Sequence, residues 1–240
     1  INQHLIQFQD FMNLFILNSS IGRKLVMSIT GLFLILFLTF HMCMNLVSLF
    51  SAETYNMICE FLGANWYALV GTAILAAGSI IHIIYALILS IQNRKARGND
   101  RYEVTSRPKS VEWASQNMLA LGVVVLAFLA LHLYHFWAKM QLVELQYMAG
   151  ANVDTSMVTN GAYYIQQTFS NPVNVVLYLI ALCALWFHLS HGFWSALQSM
   201  GLDNKTWFNR VKNIGIVYAT ILVGGFAIVI IAFFIKSLCC

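Results

Sequence analysis

Histidine is the residue type in this sequence best suited to do chemistry. The chain has seven histidines, and six of them lie within long apolar stretches: His41, His82, His132, His135, His188 and His191. An ionisable side chain is unfavourable in such surroundings and usually serves a function there. A neutral imidazole is also a common ligand of iron and other transition metals. We therefore expect these side chains to bind a metal cofactor.

Five apolar segments must position these histidines. Of the 240 residues, 60% are hydrophobic and 9% are charged, whereas a soluble domain carries ~25% charged residues. A membrane-spanning helix needs ~20 apolar residues, and continuous apolar runs favour helices over a β-barrel. The sequence predicts an N-terminal arm over residues 1–22 and, over 23–240, an all-α integral membrane bundle of five transmembrane helices at about 25–50, 66–91, 113–138, 173–199 and 211–235.

Basic residues predict the orientation of the bundle. Positive charge collects in the short cytoplasmic loops of membrane proteins. With the N-terminus inside, 11 of the 13 basic residues are cytoplasmic, and only Lys139 and Lys236 are outside. We therefore expect a cytoplasmic N-terminus and a C-terminus on the outer side.

The histidines fall at two depths. His82 lies twelve residues before Arg94, and His188 lies twelve before Met200, so each is ~18 Å from the cytoplasmic edge at the helical rise. His41 lies seventeen residues after Lys24, and His132 lies nineteen after Trp113, ~26 and ~28 Å from that edge. Two levels of paired imidazoles are what two stacked bis-histidine haems require. The five cysteines form no CxxCH motif, so covalent c-type haem has no support.

Two of the four spans carry an HxxH pair. His132 and His135, and likewise His188 and His191, lie three residues apart and share a helix face. Depth weakly favours His132 as a ligand and does not separate His188 from His191. Gly31 precedes His41 by ten residues, Gly122 precedes His132 by ten, and Gly78 lies one turn before His82. These glycines leave room either for a flat macrocycle or for close helix packing.

The histidine-bearing segments resemble a known family. They are similar to the dihaem, five-helix cytochrome b membrane anchor of succinate:quinone oxidoreductases, which include succinate dehydrogenases and quinol:fumarate reductases. The segments that carry the resemblance are Ser28-Ile29-Thr30-Gly31-Leu32-Phe33-Leu34 and His41-Met42 in the first span, His82 in the second, His132-Leu133-Tyr134 in the third, and Phe187-His188-Leu189-Ser190-His191-Gly192-Phe193-Trp194-Ser195 in the fourth.

The resemblance implies specific ligands. A distal haem b would lie between His41 and His132, and a proximal haem b between His82 and His188. His135 and His191 then become candidates for contacts around the haems. Donors to the haem propionates are expected near the cytoplasmic surface, with these candidates: Arg23, Lys24, Ser28, Trp113 and Gln198.

The resemblance also implies partners and a location. An iron–sulfur subunit and a flavoprotein subunit would lie on the cytoplasmic side of a bacterial inner membrane, next to the basic loops 92–112 and 201–212. The anchor would exchange electrons with a membrane quinone, menaquinone or ubiquinone, and Glu60 would be the proton acceptor there. Membrane lipid is the remaining expected partner, and no nucleic acid is expected.

Three other readings of the same residues remain open. The chain could serve a hydrogenase or a nitrate reductase as a dihaem anchor. It could be a membrane di-iron enzyme, although such enzymes gather their histidines at one depth. It could also be a transporter with a histidine proton relay, but the spans lack the acidic and basic residues that relays usually include.

Overall fold

The computed structural model describes residues 19–63, 65–97, 113–202, 204 and 206–239 of the chain. Most of the predicted N-terminal arm, most of the basic loop 92–112 and part of the loop 201–212 lie outside these residues. The described part is helical, and the prediction of an all-α bundle with five helices able to span a membrane is confirmed.

The five spans are long, continuous helices with short helices between them. The spanning elements are α1 (Ser20–Val47), α3 (Trp66–Arg97), α5 (Met118–His132) with a π-helical segment (Leu133–Trp137), α8 (Pro172–Ser199) and α9 (Phe208–Cys239). The four short helices are α2 (Ala52–Gly63), α4 (Trp113–Gln116), α6 (Gln141–Met148) and α7 (Gly161–Phe169).

Capping residues set where the spans begin. The Ser19 side chain accepts a hydrogen bond from the Gly22 amide, so α1 begins five residues before the predicted start. Asn171 caps α8 in the same way, and Pro172 occupies the first turn, where its missing N–H is tolerated. The predicted third span divides at Asn117 into α4 and α5.

Helices α2, α6 and α7 form a layer over one end of the bundle, the end predicted to lie outside and called the outer end below. The Asn56 side chain joins α2 to α7: its amide donates to Asn160, and its carbonyl oxygen accepts from the Ala162 amide. Polarity alone had not predicted these short helices. They satisfy backbone hydrogen bonds in the connections between spans.

The core of the bundle lies between α8, α9 and α1, which pack on one another. Helix α5 packs against α8, and α3 packs against α1 and α2 at the edge of the bundle. Only 6% of the most apolar stretch of α3 is buried, against 39% for α8 and for α9. Much of the apolar surface of α3 is therefore left uncovered by the other described helices.

Candidate functional site

His41 and His132 meet near the outer end of the bundle. Their ring centroids are 5.7 Å apart, and the ring planes are almost perpendicular. Aromatic rings surround the pair: Phe37 stacks on His41 at 5.4 Å, and Phe136 lies 5.1 Å from His132. The structure thus joins α1 to the third span through two imidazoles in an apolar setting.

The His82 ring lies against α1. Thr30 Oγ1 is 3.1 Å from His82 Nδ1, and the Thr30 hydroxyl donates to the Val26 carbonyl at 2.8 Å. With its proton directed to that carbonyl, the Thr30 oxygen accepts from His82 Nδ1–H. This bond selects the tautomer in which His82 Nε2 keeps its lone pair and can bind a metal.

Two glycines lie beside the His82 and His188 rings. A Cβ at Gly31 would lie 3.3 Å from His82 Cε1, a tight contact, whereas a Cβ at Gly122 would lie 3.8 Å from His188 Cε1, an ordinary van der Waals distance. Gly31 and Gly122 therefore lie beside His82 and His188, the pair nearer the cytoplasmic end, although each glycine precedes a histidine of the outer pair in sequence. Gly78 instead makes room for the Phe33 ring.

His82 and His188 are close enough to interact electrostatically. Among the described residues, the buried Nδ1 of His188 has no hydrogen-bond partner. A histidine that only stabilised the fold would be expected to use a buried ring nitrogen in a hydrogen bond. The His188 imidazole is therefore available for another role.

The π-helical segment directs the two histidines of the third span's HxxH pair to different partners. It begins directly after His132, and the Ala138 amide donates to the Leu133 carbonyl five residues back. His132 faces His41, whereas the buried His135 is hydrogen bonded through Nδ1 to Tyr178 Oη at 3.0 Å. His135 thus joins the third span to α8, and His132 remains with the His41 pair.

A series of hydrogen-bonded polar groups reaches His41 from the outer end of the bundle. The Tyr55 hydroxyl donates to Asn45 Oδ1 at 3.2 Å, and Asn45 Nδ2 donates to the His41 carbonyl at 2.8 Å. Asn45 Nδ2 also lies 3.5 Å from each His41 ring nitrogen, at the outer limit for a hydrogen bond. Burial raises the pKa of the Tyr55 phenol, so it remains a donor.

The separation of His41 and His132 is compatible with two imidazoles bound to one haem iron. Two such imidazoles have ring centres ~6 Å apart, because each metal–nitrogen bond is ~2 Å long and each ring centre lies about 1 Å beyond its bonded nitrogen. The 5.7 Å separation of His41 and His132 is close to that value. At the level of His82 and His188, the buried His188 Nδ1 has no hydrogen-bond partner among the described residues, so this imidazole is available to a ligand.

The predicted propionate donors are spread over the other end of the bundle. Ser28 is buried and donates to the Lys24 carbonyl at 2.9 Å, while the Lys24 side chain is exposed. Arg23 is half-buried in the first turn of α1, and Gln198 is exposed near the end of α8. Trp113 packs edge-on against Phe187 at 5.1 Å. Their predicted role as propionate donors stays a prediction.

Glu60, the predicted proton acceptor, is exposed on α2. A second carboxylate, Glu144, lies on α6 near Gly63, and burial raises the pKa of Glu144 above its usual value. One turn before Glu144, the buried Gln141 accepts hydrogen bonds from Thr72 and from the Trp137 indole, both at 2.9 Å. The outer end therefore has two candidate acid–base groups, one exposed and one partly buried.

Three residues that hydrogen bond to the histidines were not among the predicted site residues: Thr30, Asn45 and Tyr178. Thr30 immediately precedes Gly31 in the motif of the first span, and Asn45 lies one helical turn after His41. Those spacings were visible in the sequence. The contact of Tyr178 with His135 depends on how α8 packs against the third span, and no sequence spacing indicates it.

The fold and site define a class: a multi-pass membrane protein with two pairs of intramembrane histidines. No family model matches the chain, no curated protein matches it, and no solved structure matches it.

Proposed function

We propose that the chain is the membrane anchor and electron-transfer subunit of a succinate dehydrogenase or fumarate reductase complex. In this proposal it resides in a bacterial inner membrane and contacts an iron–sulfur subunit, which in turn contacts a flavoprotein subunit. Electrons pass between that iron–sulfur partner and menaquinone or ubiquinone. Two b-type haems supply reversible one-electron oxidation and reduction of their iron when they are bound.

The observation that carries the proposal is the pairing of histidines from different spans at two levels. His41 lies against His132 near the outer end, and His82 lies near His188 at the other level. Each pair joins helices that are far apart in sequence, as a bis-histidine site between helices requires. The resemblance of the sequence segments to the dihaem anchors supports the same assignment.

The chain's own residues have three tasks in this function. His41, His132, His82 and His188 would hold the two haem irons, and two imidazoles on each iron would favour electron transfer over oxygen binding. Thr30 holds the tautomer of His82 through Nδ1. The apolar rings around His41 exclude water, and this favours a neutral imidazole.

Quinol oxidation also requires a group that takes up protons at the outer end. Glu60 remains the proposed acceptor, since it lies on α2 and is accessible. Its replacement by glutamine is expected to slow quinol oxidation while both haems are retained. An unchanged turnover would remove Glu60 from the proposal and leave the haem assignment intact.

Two alternatives are distinguished by the complex that the chain joins and by its iron. A dihaem anchor of a hydrogenase or nitrate reductase would contain the same haems but copurify with a different soluble enzyme. A membrane di-iron enzyme would contain iron without a haem spectrum. The two-level pairing of the histidines favours haem over a single di-iron cluster.

The decisive experiment is a reduced-minus-oxidised spectrum with haem quantification on the purified native complex. We expect two b haems per chain. His82→Ala should remove one haem and His132→Ala the other, whereas the neighbouring His191→Ala should retain both. Loss of no haem in the first two variants, or the absence of haem from the wild-type complex, would refute the proposal. The identity of the copurifying subunits decides between the respiratory complexes.

A further inference from the structure

A cavity of about 540 Å³ lies at the outer end of the bundle and is separate from the histidine site. It is bounded by the C-terminal ends of α1 and α9 and by the short helices α2 and α7. The six intramembrane histidines are not among its lining residues. Its nearest residue on α1, Ser48, follows His41 by seven positions, so it lies ~10 Å further out along the helix.

The cavity contains groups that favour an anion. Lys236 lines it and makes no ion pair within the described part of the chain; its ammonium lies 5.9 Å from the centre of the Phe233 ring. The start of α2 also lines it, and the first N–H groups of a helix lack intrahelical partners. Ser51 Oγ accepts from the Thr54 amide at 3.1 Å and retains its own hydroxyl proton for donation. Such a combination is suited to a phosphate.

An unpaired acceptor in the same cavity requires a donor from the ligand. The amide nitrogen of Gln166 donates to the Phe233 carbonyl at 3.4 Å, while Gln166 Oε1 is buried and has no hydrogen-bond partner among the described residues. A buried acceptor without a donor is destabilising. A ligand that carries a hydroxyl or an amine as well as a negative charge would satisfy this acceptor once the Gln166 side chain turns towards the cavity.

The position of the cavity and its apolar walls point to a membrane lipid as the ligand. Phe50 lines the cavity and is 88% exposed, and Leu49 and Phe233 provide further apolar surface. Lysines at the end of a membrane-spanning helix extend towards lipid headgroups. Glu53, the acidic residue in the first turn of α2, is exposed and does not line the cavity. Acyl chains can thus lie beside the aromatic rings while the headgroup enters the cavity.

We propose that this cavity binds the headgroup of an anionic phospholipid that carries hydroxyl groups, with phosphatidylglycerol as the probe. Lys236, the Ser51 hydroxyl and the start of α2 contact the phosphate, and Gln166 Oε1 accepts from a headgroup hydroxyl. This site does not depend on the haems or on the proposed function. A soluble glycerol phosphate has the same polar chemistry, and the experiment distinguishes the two sources.

The test is native mass spectrometry of the purified complex from nanodiscs that contain phosphatidylcholine and phosphatidylglycerol. The wild type is expected to retain phosphatidylglycerol, and Lys236→Gln should reduce retention about tenfold, the effect of losing one charge-assisted hydrogen bond. Lys236→Arg should retain it. Lys139→Gln is the matched control, because Lys139 is the other predicted outer basic residue and contacts Gln167 outside the cavity.

A second variant tests the donor requirement. Gln166→Leu should abolish the preference for phosphatidylglycerol over phosphatidic acid, which lacks the headgroup hydroxyls. Equal losses in the Lys236 and Lys139 variants, or a wild type without lipid preference, would overturn the proposal. Displacement of the retained lipid by added glycerol phosphate would overturn its lipid source, and a retained quinone in place of the lipid would overturn the assignment of the ligand.

Discussion

Thr30→Val tests whether the Thr30 hydroxyl sets the electronic state of His82. The substitution keeps the size and branching of the side chain and removes the acceptor that lies 3.1 Å from His82 Nδ1. It also removes the hydroxyl's own bond to the Val26 carbonyl. A matched control is Thr39→Val, because Thr39 donates to the Ile35 carbonyl on the same helix and contacts Tyr218 instead of a histidine.

The direction and size of the effect follow from this hydrogen bond. A bond from Nδ1–H to the Thr30 oxygen makes the imidazole a stronger donor to iron and stabilises the ferric state. Its loss should therefore raise the midpoint potential of the proximal haem. A net hydrogen-bond contribution of ~0.5–1.5 kcal/mol corresponds to about 20–65 mV, since a tenfold change in a one-electron equilibrium is ~59 mV.

The assay is a potentiometric titration of the purified complex followed at the haem absorption bands. In Thr30→Val the potential of one haem should rise by that amount while the other stays unchanged, and Thr30→Ser should restore the wild-type value. Thr39→Val should leave both potentials in place. A shift of both haems, a downward shift, or an equal shift in the Thr39 variant would refute the role assigned to Thr30.

Three further predictions concern space, a buried hydrogen bond and a buried carboxyl. Gly31→Leu should displace the His82 imidazole and lower the haem content to about one haem per chain. Gly71 has open space around it, so Gly71→Leu should retain two haems per chain when haem is quantified. Tyr178→Phe leaves the buried His135 Nδ1 without its partner and should lower the stability in detergent by ~1–3 kcal/mol, measured as a lower unfolding temperature. Burial raises the pKa of the Glu144 carboxyl above 4.5. The contribution of this carboxyl to stability is therefore greatest below pH 4.5 and is lost as the pH rises through the raised pKa. When the unfolding temperature is measured as a function of pH, Glu144→Gln should flatten the curve in that pH range.

Each of these predictions has an opposite result that would contradict it. Equal haem content in the Gly31 and Gly71 variants would mean that the α3 imidazole tolerates a side chain there. An unchanged unfolding temperature in Tyr178→Phe would show that His135 finds another partner. A pH series that is the same with and without the Glu144 carboxyl would show that its burial has no effect on stability.

The sequence by itself determined the five spans and the two depths of the histidines. A run of about twenty apolar residues has few alternatives to a membrane-spanning helix, because every backbone polar group must be satisfied within the lipid. The helical rise then converts residue number into depth, so the level of His82 or His132 follows from counting. The motif resemblance added the pairing of the spans, which the neighbouring rings of His41 and His132 match.

Only the tertiary structure decided which groups each histidine contacts. The π-helical segment changes the rotation of the third span after His132, and a local change in helical period is not visible in an apolar sequence. Gly31 and Thr30 serve His82 instead of the histidine on their own helix, because α3 packs across that part of α1. Contacts between helices depend on their relative rotation and packing, and hydrophobicity does not determine rotation in a bundle whose lipid-facing and interior surfaces are both apolar.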